Sequence, residues 1–290
     1  MTTSPLTNKS CLVTGATAGI GFVTARELAR LGAAVTIVGR DVHRGEAAVA
    51  AIAEAVGSGP GPSGFVDFVA ADLSDQRQLR DFAAAFRARR PRLDVLVNNA
   101  GGLFGKRRTS ADGIEMTFAL NHLSYFLLTH LLLPSLTAAA PARIVNVASE
   151  AHRAVKLDFD DLQGELSYNR WLAYKRSKLA NLMFTYGLAR RIAGRGVTAN
   201  ALHPGFVATD IGVRHGFVPN VFWWLGKLAA VSPEKGARTS IHLASAPEIA
   251  EVTGEYFIDS QPVRSSAASY DQEATERLWH ISANLTGLRA

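Results

Sequence analysis

Short apolar runs alternate with longer segments of helical spacing along most of the chain. The apolar runs predict strands at Ser10–Thr14, Ala34–Val38, Val66–Ala70, Val95–Asn98, Ile144–Ala148, Thr198–Leu202 and Glu255–Ile258. The segments between them predict helices at Ile20–Leu31, Val42–Val56, Gln76–Arg89, Gly113–Ala138, Tyr168–Ile192 and Pro233–Ala244. Near-continuous apolar strands are typical of a parallel sheet covered on both faces. We therefore predict an α/β fold: a doubly wound parallel sheet of about seven strands with helices on both faces.

This alternation continues without a break in composition, so we predict one domain over residues 1–290. A glycine- and proline-rich stretch, 57–64, is expected to be a surface connection rather than a domain boundary. The pattern ends near Val263, and we expect the tail from there to residue 290 to be irregular.

Composition narrows the function classes. The chain has 290 residues, of which 48% are hydrophobic and 19% charged, as expected of a globular protein with a large core. The formal net charge is +6, but the basic residues lie in short scattered clusters without interleaved aromatics, so we expect no nucleic-acid partner. A basic balance also suits an anionic cofactor. The histidines show no ligand spacing, so we expect no metal site.

The N-terminal segment and the single cysteine bear on location. Met1–Ser10 is polar, and no apolar run reaches about 18 residues, so we expect neither a signal peptide nor a transmembrane anchor. Cys11 has no second cysteine to pair with, which favours a reducing compartment. We therefore expect a cytoplasmic protein.

A glycine-rich turn follows the first strand. It reads Thr14-Gly15-Ala16-Thr17-Ala18-Gly19-Ile20-Gly21 and leads directly into a predicted helix. Glycines at such a point let backbone N–H groups approach a phosphate, with the helix N-terminus behind them. The turn therefore predicts a dinucleotide site, although a mere tight connection would show the same glycines.

The ends of the next two strands bear on the type of cofactor. Arg40 follows the second strand, where a 2′-phosphate requires an arginine and a bare ribose requires a carboxylate. This favours NADP(H), with NAD(H) as the alternative, and Asp41 is expected to cap the next helix. Asp72, followed by Leu73, comes after the third strand, where it fits either an adenine contact or a helix cap.

Polar residues in the middle of the chain predict acid–base chemistry. Tyr174 and Lys178 lie four residues apart on a predicted helix and so share one face. An ammonium group one turn away lowers the pKa of a phenol from about 10, which lets the phenol exchange protons near neutral pH. Ser149 follows the fifth strand and is expected at the same edge of the sheet. Asn121 lies inside a predicted helix, where asparagine is disfavoured, so it is either exposed or functional.

Taken in order, these motifs resemble the short-chain dehydrogenase/reductase superfamily, which implies a Rossmann fold. The matches are Thr14-Gly15-x-x-x-Gly19-Ile20-Gly21, Asp72, Asn98-Asn99-Ala100-Gly101, Asn121, Ser149, Tyr174-x-x-x-Lys178 and Pro204-Gly205. Within the superfamily the chain is most similar to the retinol-dehydrogenase-like group, on Asn121-His122-Leu123, Asp161-Leu162-Gln163-Gly164-Glu165 and Gly254-Glu255-Tyr256-Phe257.

The resemblance also implies a role for each residue. Tyr174 gives and takes the proton at the substrate oxygen, while Ser149 holds that oxygen. Lys178 lowers the pKa of Tyr174 and binds the nicotinamide ribose, and Asn121 supports a water chain to Lys178. The implied cofactor contacts are Gly15, Thr17, Gly19, Ile20, Gly21, Arg40, Asp72, Leu73, Asn98, Ala100, Gly101, Tyr174, Lys178, Pro204, Gly205, Val207 and Thr209.

An aromatic segment follows Pro204-Gly205. The resemblance implies that residues 206–231 form a lid over a hydrophobic substrate, with candidate contacts at Phe206, Phe217, Trp223 and Trp224 in addition to Ser149. The same aromatic residues would also suit ordinary core packing, a protein partner or contact with a membrane surface.

The sequence therefore predicts an NADP(H)-dependent alcohol dehydrogenase or carbonyl reductase. It would move a hydride between nicotinamide and a hydrophobic alcohol, aldehyde or ketone, with Tyr174 as general acid and base. Two alternatives keep the fold: a non-redox elimination or cyclisation that uses the same tyrosine, and a nucleotide sensor without catalysis. The set of Ser149, Tyr174 and Lys178 argues against the sensor. A homo-oligomer is compatible with every alternative, and the substrate and direction stay open.

Overall fold

The centre of the fold is one twisted sheet. The computed structural model describes residues 5–57, 65–205 and 232–289. The strands are β1 (Ser10–Thr14), β2 (Ala34–Gly39), β3 (Val66–Ala70), β4 (Val95–Asn98), β5 (Ala142–Val147), β6 (Val197–His203), β7 (Tyr256–Ile258) and β8 (Gln261–Pro262). Their order is β3-β2-β1-β4-β5-β6-β7-β8, with every neighbouring pair parallel except β7 and β8. The strand order reverses between β1 and β4, and ligands of such sheets bind beyond the carboxyl ends of the strands at that point.

Helices connect the strands and cover both faces of the sheet. They are α1 (Gly19–Arg30), α2 (Val42–Val56), α3 (Gln76–Arg89), α4 (Met116–Phe118), α5 (Ser124–Ala139), α6 (Arg170–Arg191), α7 (Pro233–Ser245) and α8 (Gln272–Leu285). A π-helical segment, Ala119–Leu123, joins α4 to α5.

Two buried clusters lie on opposite faces of the sheet. One contains side chains from α1, α2 and α7, such as Leu28, Ile52 and Leu243. The other contains side chains from α3, α5 and α6, such as Leu128 and Leu188. A sheet covered in this way confirms the predicted doubly wound α/β class and explains why the strands are apolar throughout.

The predicted elements match the observed ones to within three residues at each end, and the larger shifts have local causes. Glu115 caps α4, since its carboxylate accepts from the N–H groups of Thr117 and Phe118 at 2.8 Å each. Asn169 caps α6 by accepting from Trp171 and Leu172. A side-chain cap satisfies first-turn N–H groups, so these two helices begin later than apolar spacing alone predicted.

The prediction of an irregular tail is wrong for its longest part. Gln272–Leu285 forms α8, which Asp271 caps by accepting from the N–H of Ala274 at 3.0 Å. Leu278 and Trp279 are buried against the sheet-covering helices, with Trp279 in the cluster of α3, α5 and α6. The eighth strand was also missed, because two exposed residues carry no apolar pattern.

One stretch of the described residues, Met116–Ala139, has the length and apolar composition of a membrane-spanning helix, although no such helix was predicted. However, 72% of its most apolar window is buried inside the protein. Burial of this kind is typical of a core helix.

Candidate active site

The glycine turn after β1 has a backbone that only glycine adopts without strain. Gly15 and Gly19 have φ angles of 65° and 59°. A Cβ atom on Gly15 would lie 2.7 Å from the Cα of Ala100, and one on Gly21 would lie 2.4 Å from Nδ2 of Asn99. The turn is therefore pressed against the residues that follow β4.

Hydrogen bonds clamp these two loops together. Nδ2 of Asn99 donates to the carbonyls of Thr14 at 2.8 Å and Gly15 at 3.2 Å. In return, Oγ1 of Thr14 accepts from the N–H groups of Asn99 at 2.9 Å and Ala100 at 3.0 Å. Asn99, which belongs to the Asn98-Asn99-Ala100-Gly101 motif but was not among the predicted cofactor contacts, is thus the amide that shapes the turn.

Asn98, predicted to contact the cofactor, lies elsewhere. Its side chain is 0% exposed, and its Nδ2 donates to Oδ1 of Asn146 at 2.8 Å and Oγ1 of Thr129 at 3.1 Å. This side chain points into the core between β5 and α5, so a cofactor contact by Asn98 stays a prediction for its backbone alone. Neighbouring residues of an extended strand face opposite ways, so a run of two asparagines could not show which one faces the cleft.

The start of α1 fits the phosphates of a dinucleotide. Ala18 precedes this helix and makes no side-chain cap, whereas α2, α3 and α6 are capped by Asp41, Asp75 and Asn169. The first-turn N–H groups of α1, which include those of Ile20 and Gly21, are therefore available to donate to a phosphate. Thr17 lies beside Gly39, the last residue of β2, since a Cβ atom on Gly39 would be 2.8 Å from the methyl of Thr17.

The residues after β2 and β3 surround the predicted adenosine end of the site. Arg40 is exposed, and Asp41 accepts from the N–H of Arg44 at 3.0 Å, which confirms the predicted cap of α2. Asp72 is not a helix cap, because Asp75 has that position and Asp72 instead accepts from the N–H and hydroxyl of Ser74.

Leu73 was also predicted to contact the cofactor. Its side chain is 7% exposed and packs in the cluster of α3, α5 and α6. Only its backbone therefore remains at the edge of the sheet, and the side chain adds to the core.

Asn121 lies in the π-helical segment and is fully buried, so of the two alternatives the exposed one is wrong. Its Oδ1 accepts from the N–H of Gly102 at 2.7 Å, and its Nδ2 donates to the carbonyl of Gly102 at 2.9 Å and to Oγ of Ser177 at 3.0 Å. A π-helical turn inserts one extra residue and so reorients a side chain inside a helix. The effect is to hold Gly101 within reach of α6, where a Cβ atom on it would be 3.6 Å from Nζ of Lys178.

Lys178 is buried at the centre of the site. Its side chain is on α6, the residue is 4% exposed, and Nζ donates to the carbonyl of Val147 at 2.9 Å. Nζ also lies 5.8 Å from the ring centres of both Tyr174 and Tyr125. Burial disfavours the ammonium form and lowers the pKa of Lys178 to about 7.

Ser149 and Tyr174 converge as the sequence predicted. Ser149 is the second residue after β5, Tyr174 lies in the first turns of α6, and the Ser149 side chain lies close enough to Tyr174 to lower its pKa. Burial raises the pKa of Tyr174, and the nearby Ser149 hydroxyl opposes this rise only in part. Lys178 is not among the causes of this shift, so its predicted lowering of the Tyr174 pKa stays a prediction.

The last predicted contacts follow β6. Pro204 and Gly205 are partly exposed at the same edge of the sheet, and Gly205 has a φ of 83°, in the region that favours glycine. The predicted contacts that come next lie outside the described residues: Phe206, Val207, Thr209, Phe217, Trp223 and Trp224.

Two further residues beside the site were not predicted. Tyr125 is buried next to Lys178, and His152 is buried in the turn that begins at Ser149. Tyr125 lies four residues after Asn121 on a helical pattern, a spacing that places both on one side and could have identified it. His152 depends on a contact with residue 266, which no local pattern contains.

Comparisons with known proteins identify the family of the chain. A family model described as short chain dehydrogenase matches residues 9–215. Retinol dehydrogenase 11 of Homo sapiens is 43% identical over 286 residues, which cover 99% of this chain and 88% of that protein. Retinol dehydrogenase 12 of Bos taurus is 43% identical over 284 residues, which cover 98% of this chain and 88% of that protein.

Solved structures are similar over most of the chain as well. A protein of Mycobacterium paratuberculosis has a TM-score of 0.79 and 33% identity, and the match covers 98% of this chain and 95% of that one. The complex of RhlG with NADP from Pseudomonas aeruginosa has a TM-score of 0.69 and 26% identity, covering 93% of this chain and 100% of that one.

Proposed function

This chain belongs to the short-chain dehydrogenase family and is a hydride-transfer oxidoreductase, and from this premise we propose that it interconverts a hydrophobic alcohol and its aldehyde or ketone with NADP(H). The observation that carries the proposal is the convergence of Ser149, Tyr174 and Lys178 at the carboxyl edge of the sheet, next to the glycine turn. A nucleotide sensor has no need of a phenol, a hydroxyl and a buried amine close together.

The cofactor, when bound, supplies or accepts the hydride at the substrate carbon. The protein handles the proton and the charge on the substrate oxygen. Because burial raises the pKa of Tyr174, its phenol is protonated at neutral pH and can donate to the oxygen of a carbonyl substrate. The Ser149 hydroxyl, which lies near Tyr174, donates a second hydrogen bond to the same oxygen and stabilises its developing negative charge.

Lys178 and Asn121 support this proton transfer. The Lys178 amine has a pKa of about 7 in the chain by itself, so it can take up or release a proton near neutral pH. Asn121 holds the Gly101–Gly102 loop beside that amine. In the direction of alcohol oxidation Tyr174 must accept a proton, so we expect oxidation to speed up as the pH rises toward the pKa of the phenol.

Arg40 supports the choice of NADP(H) over NAD(H). Its guanidinium is exposed at the end of β2, while the neighbouring carboxylate of Asp41 is used to cap α2. A cation without a competing carboxylate suits a 2′-phosphate. The similar protein RhlG was solved in a complex with NADP.

The cofactor preference is tested with Arg40→Ala. We expect the KM for NADPH to rise at least about tenfold while the KM for NADH changes by less than about twofold, since a charge-assisted phosphate contact is worth about 1.5–3 kcal/mol. Arg87→Ala, which removes an exposed charge from α3, is the matched control. An unchanged ratio of the two KM values would show that Arg40 does not bind the 2′-phosphate.

Two features support an apolar substrate. The relatives at 43% identity carry the name of retinol, an apolar alcohol, and the segment 206–231 of this chain is rich in aromatic residues. We propose that retinoid-like or other long apolar aldehydes and alcohols are turned over in preference to short polar ones.

The reaction itself is tested by following NADPH absorbance with a panel of aldehydes that includes retinaldehyde, decanal and acetaldehyde. We expect turnover of the two apolar aldehydes and its near-complete loss in Tyr174→Phe, with NADPH binding retained. Full activity of Tyr174→Phe would refute the assigned role. Conversion of a substrate in the absence of any nicotinamide cofactor would favour the elimination or cyclisation instead.

A further inference from the structure

The turn that carries Ser149 is attached to the tail of the chain. We call residues 149–154 the Ser149 turn and residues 264–270 the tail segment. His152 of the Ser149 turn hydrogen-bonds the backbone N–H of Ser266 at 3.1 Å. Next to it, Nη2 of Arg153 donates to the carbonyl of Arg264 at 2.8 Å. These contacts join residues more than 100 positions apart in sequence.

His152 has both ring nitrogens occupied. A backbone N–H can only donate, so Nε2 of His152 must accept from Ser266 and carries no proton. The proton is therefore on Nδ1, which donates to the carbonyl oxygen of Ser149 at 2.6 Å. The ring is fully buried and packs edge-on against Tyr256, with ring centres 5.3 Å apart. Both the tautomer and the position of the ring are thus set by neighbours on three sides.

The tail segment is in turn fixed to α6, the helix that carries Tyr174 and Lys178. The hydroxyl of Tyr186 on α6 is 2.7 Å from Oγ of Ser265, which is 2.6 Å from Oγ of Ser269. The rings of Tyr186 and Tyr270 stack in parallel with centres 5.1 Å apart. A continuous chain of contacts therefore leads from Ser149 through His152 and the tail segment to the helix of Tyr174.

We propose that His152 is a positioning residue: by bridging the Ser149 carbonyl and the Ser266 amide, it makes the tail segment hold the Ser149 hydroxyl in its place beside Tyr174. The need for such a support follows from the local structure. Ser149 lies just beyond β5 and begins a short 3-10 turn, in which its carbonyl accepts from the backbone N–H of His152 at 3.2 Å and its hydroxyl accepts from the N–H of Ala151 at 3.2 Å. These bonds lie within the turn, whereas the bond from Ser266 to the His152 side chain reaches outside it. The proposal rests on the function proposed above, since it concerns the same two hydroxyl groups.

The consequence is an effect on turnover rather than on cofactor binding. A displacement of about 1 Å at a reacting group costs up to about 100-fold in rate. In His152→Phe the ring remains to pack on Tyr256 but both hydrogen bonds are lost, so we expect kcat to fall about 10- to 100-fold. The glycine turn is not involved, so we expect the Kd for NADPH to change by less than about twofold.

A matched pair of variants tests the tail side of the bridge. Ser266 has a φ of −70°, which proline also adopts, so Ser266→Pro removes the N–H that His152 accepts from without requiring a new φ. Ser266→Ala keeps that N–H and removes only the hydroxyl. We expect Ser266→Pro to lower kcat as His152→Phe does, and Ser266→Ala to retain most of the turnover. If His152→Phe does not fold, this pair decides the question by itself.

A double-mutant cycle with Ser149→Ala separates positioning from a general loss of structure. If His152 acts through the Ser149 hydroxyl, His152→Phe adds less than about twofold to the loss that Ser149→Ala already causes. Independent, multiplying effects would overturn the proposal, and so would wild-type kcat in both His152→Phe and Ser266→Pro. Full activity of Ser149→Ala and Tyr174→Phe would instead refute the proposed function, so the two failures are distinguishable.

Discussion

The burial of Lys178 makes the free energy of unfolding of the cofactor-free protein depend on pH. The residue is 4% exposed, and its ammonium donates one hydrogen bond to the carbonyl of Val147 and forms no ion pair among the described residues. Desolvation lowers its pKa from 10.5 to about 7. Between these two pH values the unfolded chain binds a proton that the folded chain has released. Stability therefore rises with pH in this interval and is lost as the pH falls toward 7.

The size of the effect follows from the two pKa values. The slope approaches about 1.4 kcal/mol per pH unit where the two protonation states differ fully. Since the folded group is still half protonated at pH 7, the gain from pH 7 to pH 9 amounts to about 2 kcal/mol. The phenol of Tyr174, whose pKa is raised in the folded chain, stays almost fully protonated in both states below pH 9 and adds little to this slope.

Urea unfolding of the cofactor-free protein at several pH values between 7 and 9 measures this gain. Lys178→Met removes the titrating group while keeping most of the side-chain volume, so we expect its free energy of unfolding to be flat by comparison. Lys175→Met, on the same helix but partly exposed, should keep the wild-type slope. If the free energies of unfolding of wild type and Lys178→Met changed in parallel with pH, the pH dependence would not come from Lys178.

Two further predictions concern the glycine turn and α8. In Gly21→Ala the added Cβ would lie 2.4 Å from Nδ2 of Asn99, so we expect the clamp to open and the Kd for NADPH to rise at least about tenfold, which titration of NADPH fluorescence would measure. An unchanged Kd would show that the clamp does not shape the site. Trp279→Ala on α8 should lower the free energy of unfolding by about 3–5 kcal/mol, because the ring is 6% exposed and packs on Phe126. Trp171→Ala, which is 52% exposed, should change it by less than about 0.5 kcal/mol, and equal losses in urea unfolding would contradict the assigned packing.

Much of the architecture follows from local sequence patterns. Seven of the strands and the helices between them were predictable, because parallel strands covered on both faces must be apolar along their whole length. The glycine turn, the cap at Asp41 and the pairing of Tyr174 with Lys178 depend on spacings of two to six residues. Such short spacings can be read directly from the amino-acid sequence.

The pKa values of the site residues could be derived only from the folded structure. The sequence indicated that Lys178 would lower the pKa of Tyr174, but burial dominates both groups and shifts them in opposite directions. Desolvation depends on everything packed around a group, including residues distant in sequence. A spacing of four residues reports proximity and says nothing about the surrounding dielectric.

The same distinction explains Asn98 and the tail. Whether Asn98 or Asn99 faces the glycine turn depends on the pleat of β4 and on partners in β5 and α5. The tail lacked a pattern that stood out, yet α8 buries Trp279 and the tail segment contacts His152 more than 100 residues earlier in the chain. The sequence by itself thus determined the order of elements and the residue types at each strand end, since these obey local periodicity. Only the tertiary structure decided which side chains meet and how they ionise, because contact and burial are properties of the packed chain.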